Sequence, residues 1–473
     1  MRAIFLVLLG ILAGCTVGPD YQKPAQKAPD HFKERSLWQP AEPSQPAVSE
    51  AWWQLFQDPI LDQLETQLAG QNPGVQAAEA AYRGAVAAAA AANAAFFPAL
   101  SLNGSGQRAQ VSNGSAHGSR AVSIGNQFAG SVGASWDLDL WGRLRRSAEA
   151  ADASQQASAA DLASVKLAQQ AALAADYFAL RAADQLIRLL ENTVTAYTAT
   201  LRISKNQYAA GTASQLDVAQ AETQLAATRA QSIAAGNQRA QLEHAIAALV
   251  GMSASEFAIP PVTEDLVLPP EVPGILPAKL LERRPDIAAA ERRMAAANAE
   301  IGVATAAYYP DISLSGSFGS TASMLSQLMR TSNQVWSLGA QSSLSLFDGG
   351  LHNAELAQAQ AGYDQEVAVY RQAVLSSFQQ IEDQLAAHRI LADQALAEDK
   401  AVAASAEALR LSTNQYKAGT VAYTTVVTAQ TAALATQQTA LAIRQNRLTA
   451  TVALIQALGG GWTGLAPRND EQN

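Results

Sequence analysis

The sequence predicts a mixed α/β membrane protein made from one internal tandem repeat, with four strands and long coiled-coil hairpins per chain. Three observations lead there. Prolines cluster in residues 19–98 and 260–310, with none between Pro98 and Pro260 or between Pro310 and Pro467. Proline is costly inside helices and sheets, so the two proline-free spans are where long regular structure can form. The spans are copies: "NPGVQAAEAAYRGAVAAAAAANAAFFPALSL" (72–102) aligns without a gap to "RPDIAAAERRMAAANAEIGVATAAYYPDISL" (284–314), and "LRISKNQYAAGT" (201–212) to "LRLSTNQYKAGT" (409–420). In each copy the hydrophobic period drops from the helical value to two and then returns.

The first fourteen residues read as an export signal. Arg2 precedes an apolar run too short to span a bilayer, and "LAGC" ends at Cys15, the only cysteine of the chain. This pattern resembles a bacterial lipoprotein signal, which implies an N-acyl and S-diacylglycerol lipid on Cys15. Thr16, where an Asp would retain a lipoprotein at the inner membrane, points to the outer one. Residues 15–70 then read as an acylated extended segment and a short helix.

Repeat 1 (71–259) is expected to hold a helix, strands at about 99–110 and 128–141, a long helix over 143–209 and a return helix over 213–250. A linker at 260–283 leads to repeat 2 (284–460), with a helix, strands at about 311–320 and 335–347, a long helix over 350–417 and a return helix over 421–458. A tail of 461–473 follows. The clearest strand is "SVGASWDLDL", with Val132, Ala134, Trp136, Leu138 and Leu140 on one face and Ser131, Gly133, Ser135, Asp137 and Asp139 on the other. About 65 helical residues would reach roughly 100 Å, deeper than any globular core. The spacing of Leu173, Tyr177, Leu180, Ile187 and Leu190 by threes, fours and sevens makes a coiled-coil seam.

Strands apolar on one face and Ser/Gly/Asp-rich on the other suit a transmembrane barrel with a wet lumen; a soluble antiparallel sheet under helices is the other arrangement they allow. Open edges are not tolerated in lipid, so a four-stranded chain would have to pool strands with other copies, giving eight, twelve or sixteen. A net charge of −9 without a basic stripe argues against nucleic acid as the partner and reads as a solvated acidic surface. The five histidines lack metal-ligand spacing, and no nucleophile elbow, phosphate loop or dinucleotide fingerprint occurs, so no enzyme, cofactor or metal is expected.

The segments "CTVGPDYQKP" (15–24), "AWWQLFQDPILDQLETQL" (51–68), "WDLDLWGRLRR" (136–146) and "ERRPDIAAAERRMAAANAEIGVATAAYYPDISLSG" (282–316) resemble TolC-like outer-membrane factors, closest to the NodT/OprM-type lipoproteins of RND efflux systems. The resemblance implies a homotrimer in outer-membrane lipid, with a shared 12-stranded β-barrel continuing into a 12-helix periplasmic α-barrel. It implies passive conduction of drugs or other small toxic compounds delivered by an inner-membrane RND-type pump through a periplasmic adaptor. Gly211, Thr212, Gly419 and Thr420 match the periplasmic tip turns that dock the adaptor. Tyr416 matches the gate tyrosine and Asp217 the acidic gate residue, with Tyr208 and Lys417 as further gate candidates. The chain departs from the family's charged lock at Val421, Thr425 and Thr428, and Lys417 is the cation expected to meet Asp217 instead. A type I protein-secretion exit duct shares this fold, and a poreless periplasmic coiled-coil lipoprotein would share the helices.

Overall fold

The computed structural model describes residues 16–24, 29, 32–34, 49–114, 120–262, 265–270, 272 and 283–465. The signal, Cys15, most of the linker and residues 466–473 lie outside them. After a 3-10 turn at Trp52–Phe56 come α1 (Pro59–Gln71), α2 (Pro73–Ala94), β1 (Ala99–Gly114), β2 (Arg120–Leu138), α3 (Arg143–Ala209) and α4 (Gln215–Leu249). The second half supplies α5 (Pro285–Ala306), β3 (Asp311–Ala322), β4 (Gln334–Ser343), α6 (Leu351–Lys417) and α7 (Tyr423–Ala457). The repeat is kept element by element: α2 and α5 have 22 residues each, α3 and α6 67, α4 and α7 35.

Repeats are units of sequence here, not of compactness. Among the described residues, one compact unit joins those of Met1–Ala25, Tyr82–Ser158 and Ala289–Tyr370; the other joins those of Gln26–Ala81, Ala159–Ala288 and Arg371–Asn473. Each draws on both repeats; within the first unit, β2 of repeat 1 pairs with β3 of repeat 2.

In the first unit the strands form one antiparallel sheet in the order β1-β2-β3-β4, so β1 and β4 are its edges. Strand ends differ from the sequence expectation. β2 stops at Leu138, not 141, because Asp139 serves the next helix instead of the ladder. Its carboxylate accepts the Leu144 and Arg145 amides at 2.9 and 3.0 Å, which caps the start of α3. β4 stops at Ser343, not 347. Ser343 pairs with Asp311, and Pro310 before it has no N–H to extend the ladder. The first hairpin is longer than expected, since the Gly/Ser/Asn stretch read as loop continues the ladder to Gly114 opposite Arg120. Below the sheet, Trp141 stacks on Tyr309 at 4.8 Å and its indole N–H reaches the Pro310 carbonyl at 2.9 Å.

In the second unit the core gathers Trp52, Phe56, Leu61, Leu68, Tyr177, Phe178, Ile246 and Ile455. Asp58 starts α1 as its N-cap, accepting from the Ile60 and Leu61 amides, while its second oxygen takes the Tyr177 hydroxyl at 2.6 Å. Repeat-equivalent residues tie the ends of the return helices: Asn72 donates to the Leu249 carbonyl at 2.7 Å and Arg284 to that of Ala457 at 2.9 Å.

Candidate functional site: a two-faced sheet and two helical tips

The register keeps like faces together across all four strands. Leu102 stands opposite Val132, Val132 opposite Phe318, and Phe318 opposite Trp336. On the other face Asn103 meets Ser131, Ser131 meets Gly319, and Ser317 meets Ser337, their hydroxyls 2.8 Å apart. The apolar face is uncovered: Leu102 is 84% exposed and Trp336 76%. A stripe of this size in water would be a large cost, whereas facing acyl chains it costs nothing. Among the described residues no helix is long and apolar enough to cross a membrane.

The two tips have the same C-cap. Ala209 and Lys417 end helices that are followed by Gly211 (φ +75°) and Gly419 (φ +74°), a conformation that glycine adopts without strain. Thr212 N–H bonds the Gln207 carbonyl and Thr420 N–H that of Gln415, the six-to-one bond of a Schellman turn, and each threonine hydroxyl reaches the same carbonyl at 3.0 Å. A methyl at either glycine would meet nothing within 4 Å among the described residues. The outer surface of both turns is thus open and uniform.

Past the turn the copies diverge. Ser214 and Asp217 form a reciprocal capping box at the start of α4. Their equivalents in α7 are Ala422 and Thr425, and Ala422 makes no side-chain cap. Asp217 is therefore first a cap, and no ion pair joins it to Lys417 among the described residues of one chain. Lys205 and Glu222 pair across the first hairpin at 2.8 Å.

The tyrosines of the two NQY sequences also differ. Tyr208 is 49% exposed, but Tyr416 is only 5% exposed. Its hydroxyl lies 3.1 Å from that of Ser204, and its ring packs at 5.1 Å on Tyr423 beside Val426 and Ala221. This cluster fastens the end of the second hairpin to the first, as do the Tyr197 hydroxyl on the Gln430 carbonyl and Gln224 on Thr431 higher up. Burial pushes the Tyr416 hydroxyl up, and burial, Tyr416, Tyr197 and Asp217 push Tyr423 up to about 12. Both stay neutral at every physiological pH, so the contact is a hydrogen bond between hydroxyls and not a charge lock. The sequence does not single out Ser204 or Tyr423; the only signal is the apolar Leu201, Ile203 and Val426 around them.

The described residues hold no group of three or more His, Cys, Asp or Glu able to bind a metal. The duplicated helical hairpins and the lipid-type sheet agree with what sequence comparison finds. The family model for outer membrane efflux proteins matches residues 64–252 and 276–460. The chain belongs to the outer membrane efflux protein family. The probable efflux pump outer membrane protein TtgC of Pseudomonas putida is 32% identical over 462 residues, covering 96% of this chain and 94% of its own length. The solved outer-membrane channel OprN shares 30% identity at a TM-score of 0.89, over 95% of this chain and 100% of its own. The MtrE channel of Neisseria gonorrhoeae, solved in its open state, shares 27% identity at a TM-score of 0.82, over 96% and 100%. This efflux protein is thus an outer-membrane channel component of a tripartite pump, with part of its chain in the periplasm.

Proposed function

We propose that three copies of this chain pool twelve strands into one outer-membrane barrel and that their hairpins form a 12-helix periplasmic duct, through which drugs or other small toxic compounds pass without chemistry. The observation that carries this reading is the sheet itself, with an uncovered apolar face, a hydroxyl-lined opposite face and two free edges. A poreless coiled-coil lipoprotein has no use for such a sheet, and the efflux relatives favour drug export over a type I secretion duct. Cys15 carries the acyl and diacylglycerol chains that add an anchor in outer-membrane lipid. A periplasmic adaptor of an inner-membrane RND-type pump docks on the open turns at Gly211, Thr212, Gly419 and Thr420.

The gate is the Tyr416 cluster. Tyr416 with Ser204 holds the second hairpin closed against the first, and Tyr208, Asp217 and Lys417 line the neighbouring surface where copies meet. An exposed Lys417–Asp217 pair between copies adds about 0–1 kcal/mol, so it is secondary to the buried hydroxyl contact. A buried hydrogen bond contributes about 1 kcal/mol, so Tyr416→Phe should raise the open-to-closed ratio of each latch about fivefold. Planar-bilayer recording tests both statements. Wild-type protein should give mostly closed ion channels and Tyr416→Phe longer openings; no conductance from either protein would count against a pore.

A further inference from the structure

Repeat-equivalent helices of the first unit are not equally covered. In α5, Met294, Ala295, Ala299 and Ala306 are buried; their equivalents in α2 are the half-buried Tyr82 and the exposed Arg83, Ala87 and Ala94. In α3, Arg146, Ala150, Ala153 and Ala157 are buried, while the matching Ala354, Gln358, Ala361 and Gln365 of α6 are exposed. The sheet explains the imbalance together with the N-terminal segment, whose Val17, Gly18 and Asp20 accept from Arg146 and whose Pro19 carbonyl accepts from Asn298 on the covered side. β2 leads into α3 and β3 follows α5, so the β2–β3 ladder sets α3 beside α5, where Arg292 donates to Gln156 at 3.2 Å. By the same logic β4 leads into α6 and β1 follows α2, but these two strands are the free edges. Each of α2 and α6 therefore lacks one helical neighbour.

A groove of about 550 Å³ is lined by α5 and α6, and it includes Gln358 and Gln365 of the exposed α6 face. Ala304, Ala359 and Gly362 make part of its lining small enough for a helix to approach closely. Glu300 and Glu366 also line it, and neither is in an ion pair among the described residues. One Glu366 oxygen is buried without a hydrogen-bond partner among the described residues, and Glu300 is exposed. Arg143, the only cation among the described residues that line the groove, is already 3.6 Å from Asp311. Arg83 of α2 is exposed, without an ion-pair partner among the described residues, at the position where α5 buries Ala295.

The depths agree. From its sheet-proximal helix end, at 1.5 Å per residue, Arg83 lies about 16 Å down, between Glu300 at about 9 Å and Glu366 at about 22 Å. We propose that α2 of a neighbouring copy fills the α5–α6 groove and that its Arg83 bridges Glu300 and Glu366. The contact rests on the trimer proposed above and gives it a register: edge β4 pairs with the neighbour's β1, and this one guanidinium locks the helices beneath. Arginine suits the role because its planar fork can serve two carboxylates at once.

The test is a charge swap read by native mass spectrometry of the detergent-extracted full-length protein. Arg83→Glu or Glu366→Lys alone should lower the trimer-to-monomer ratio at least about tenfold, and the double variant should recover most of it. A second measurement covers variants that fail to fold: Arg83→Cys with Glu366→Cys should cross-link between copies with a short bis-maleimide. A wild-type trimer whose single reversals leave the ratio unchanged and whose cysteine pair does not cross-link would overturn the contact and leave the trimer standing. A wild-type monomer would overturn the trimer, and the contact with it.

Discussion

Glu65→Gln is expected to stabilise the protein, and to do so increasingly as pH rises from about 4.5 to about 9. Glu65 sits on α1, wholly buried, and neither carboxylate oxygen has a hydrogen-bond partner among the described residues. Burial first, and the Asp62 charge one turn away second, push its carboxyl up to about 9 from an ordinary 4.5. The folded chain thus keeps a proton that the unfolded chain releases above pH 4.5. The native state is penalised progressively above that pH, until Glu65 itself ionises near 9. At pH 7 the penalty is roughly 3 kcal/mol, from about 1.4 kcal/mol per unit over the interval. Glutamine keeps the shape and has no proton to lose. Thermal melting at pH 4 and pH 8 checks the prediction: the two proteins should melt nearly together at pH 4, and the variant clearly higher at pH 8. An equal gap at both values would contradict it.

The second large effect concerns the segment just after Cys15. Residues 16–24 are strapped onto the first unit, with the Val17 amide on the Trp141 carbonyl at 3.0 Å and the Tyr21 hydroxyl on Glu291 at 2.5 Å. At its centre Arg146, 4% exposed, donates to Asp20 at 2.7 Å, to Glu149 at 2.8 Å and to the Val17 and Gly18 carbonyls. Charge-assisted bonds contribute about 1.5–3 kcal/mol each when buried, and the stem of Arg146 also fills space against Gly302, so Arg146→Ala should cost about 2–4 kcal/mol. Asp20→Ala should cost under about 1 kcal/mol, because the Asp20 side chain is 89% exposed. Gly18→Ala is the steric version of the same test: φ is +92° there, and a Cβ would lie 2.5 Å from the Gly302 Cα, backbone against backbone. Limited proteolysis should cut within residues 16–24 much faster in Arg146→Ala and Gly18→Ala than in wild type or Asp20→Ala. Equal rates in all four would show that the strap is not held by these contacts.

Much of the architecture is legible in the sequence because local chemistry and global fold agree along most of the chain. Proline placement, the duplicated segments and the switch from period two to the helical period locate every long element. The errors fall where alternation alone decides. "WDLDL" reads as continuous strand, but Asp139 turns out of the ladder to cap α3; "LSLF" alternates through Phe347, but no partner lies beyond Pro310. Gly, Ser and Asn have low strand propensity, which hides the outer half of the β1–β2 hairpin. The tip turns stand out because glycine at φ above zero, written twice, is a strong signal. The Tyr416–Ser204 contact is not readable, since it joins residues 212 positions apart and depends on which side of each helix faces the other. The Lys417–Asp217 pairing rests on charge alone, and the Ser214 capping box competes for the same carboxylate.

Each chain should contribute four strands to a barrel whose apolar face meets lipid and whose hydroxyl face lines a wet lumen. Single cysteines placed in turn from 128 to 138 of β2, in a Cys15→Ser background reconstituted in liposomes, probe that arrangement residue by residue. Strict alternation is expected: positions 132, 134 and 136 quenched by a lipid-soluble probe, and 131, 133 and 135 reacting with a water-soluble maleimide. Uniform reaction of both sets with the water-soluble reagent would contradict the barrel.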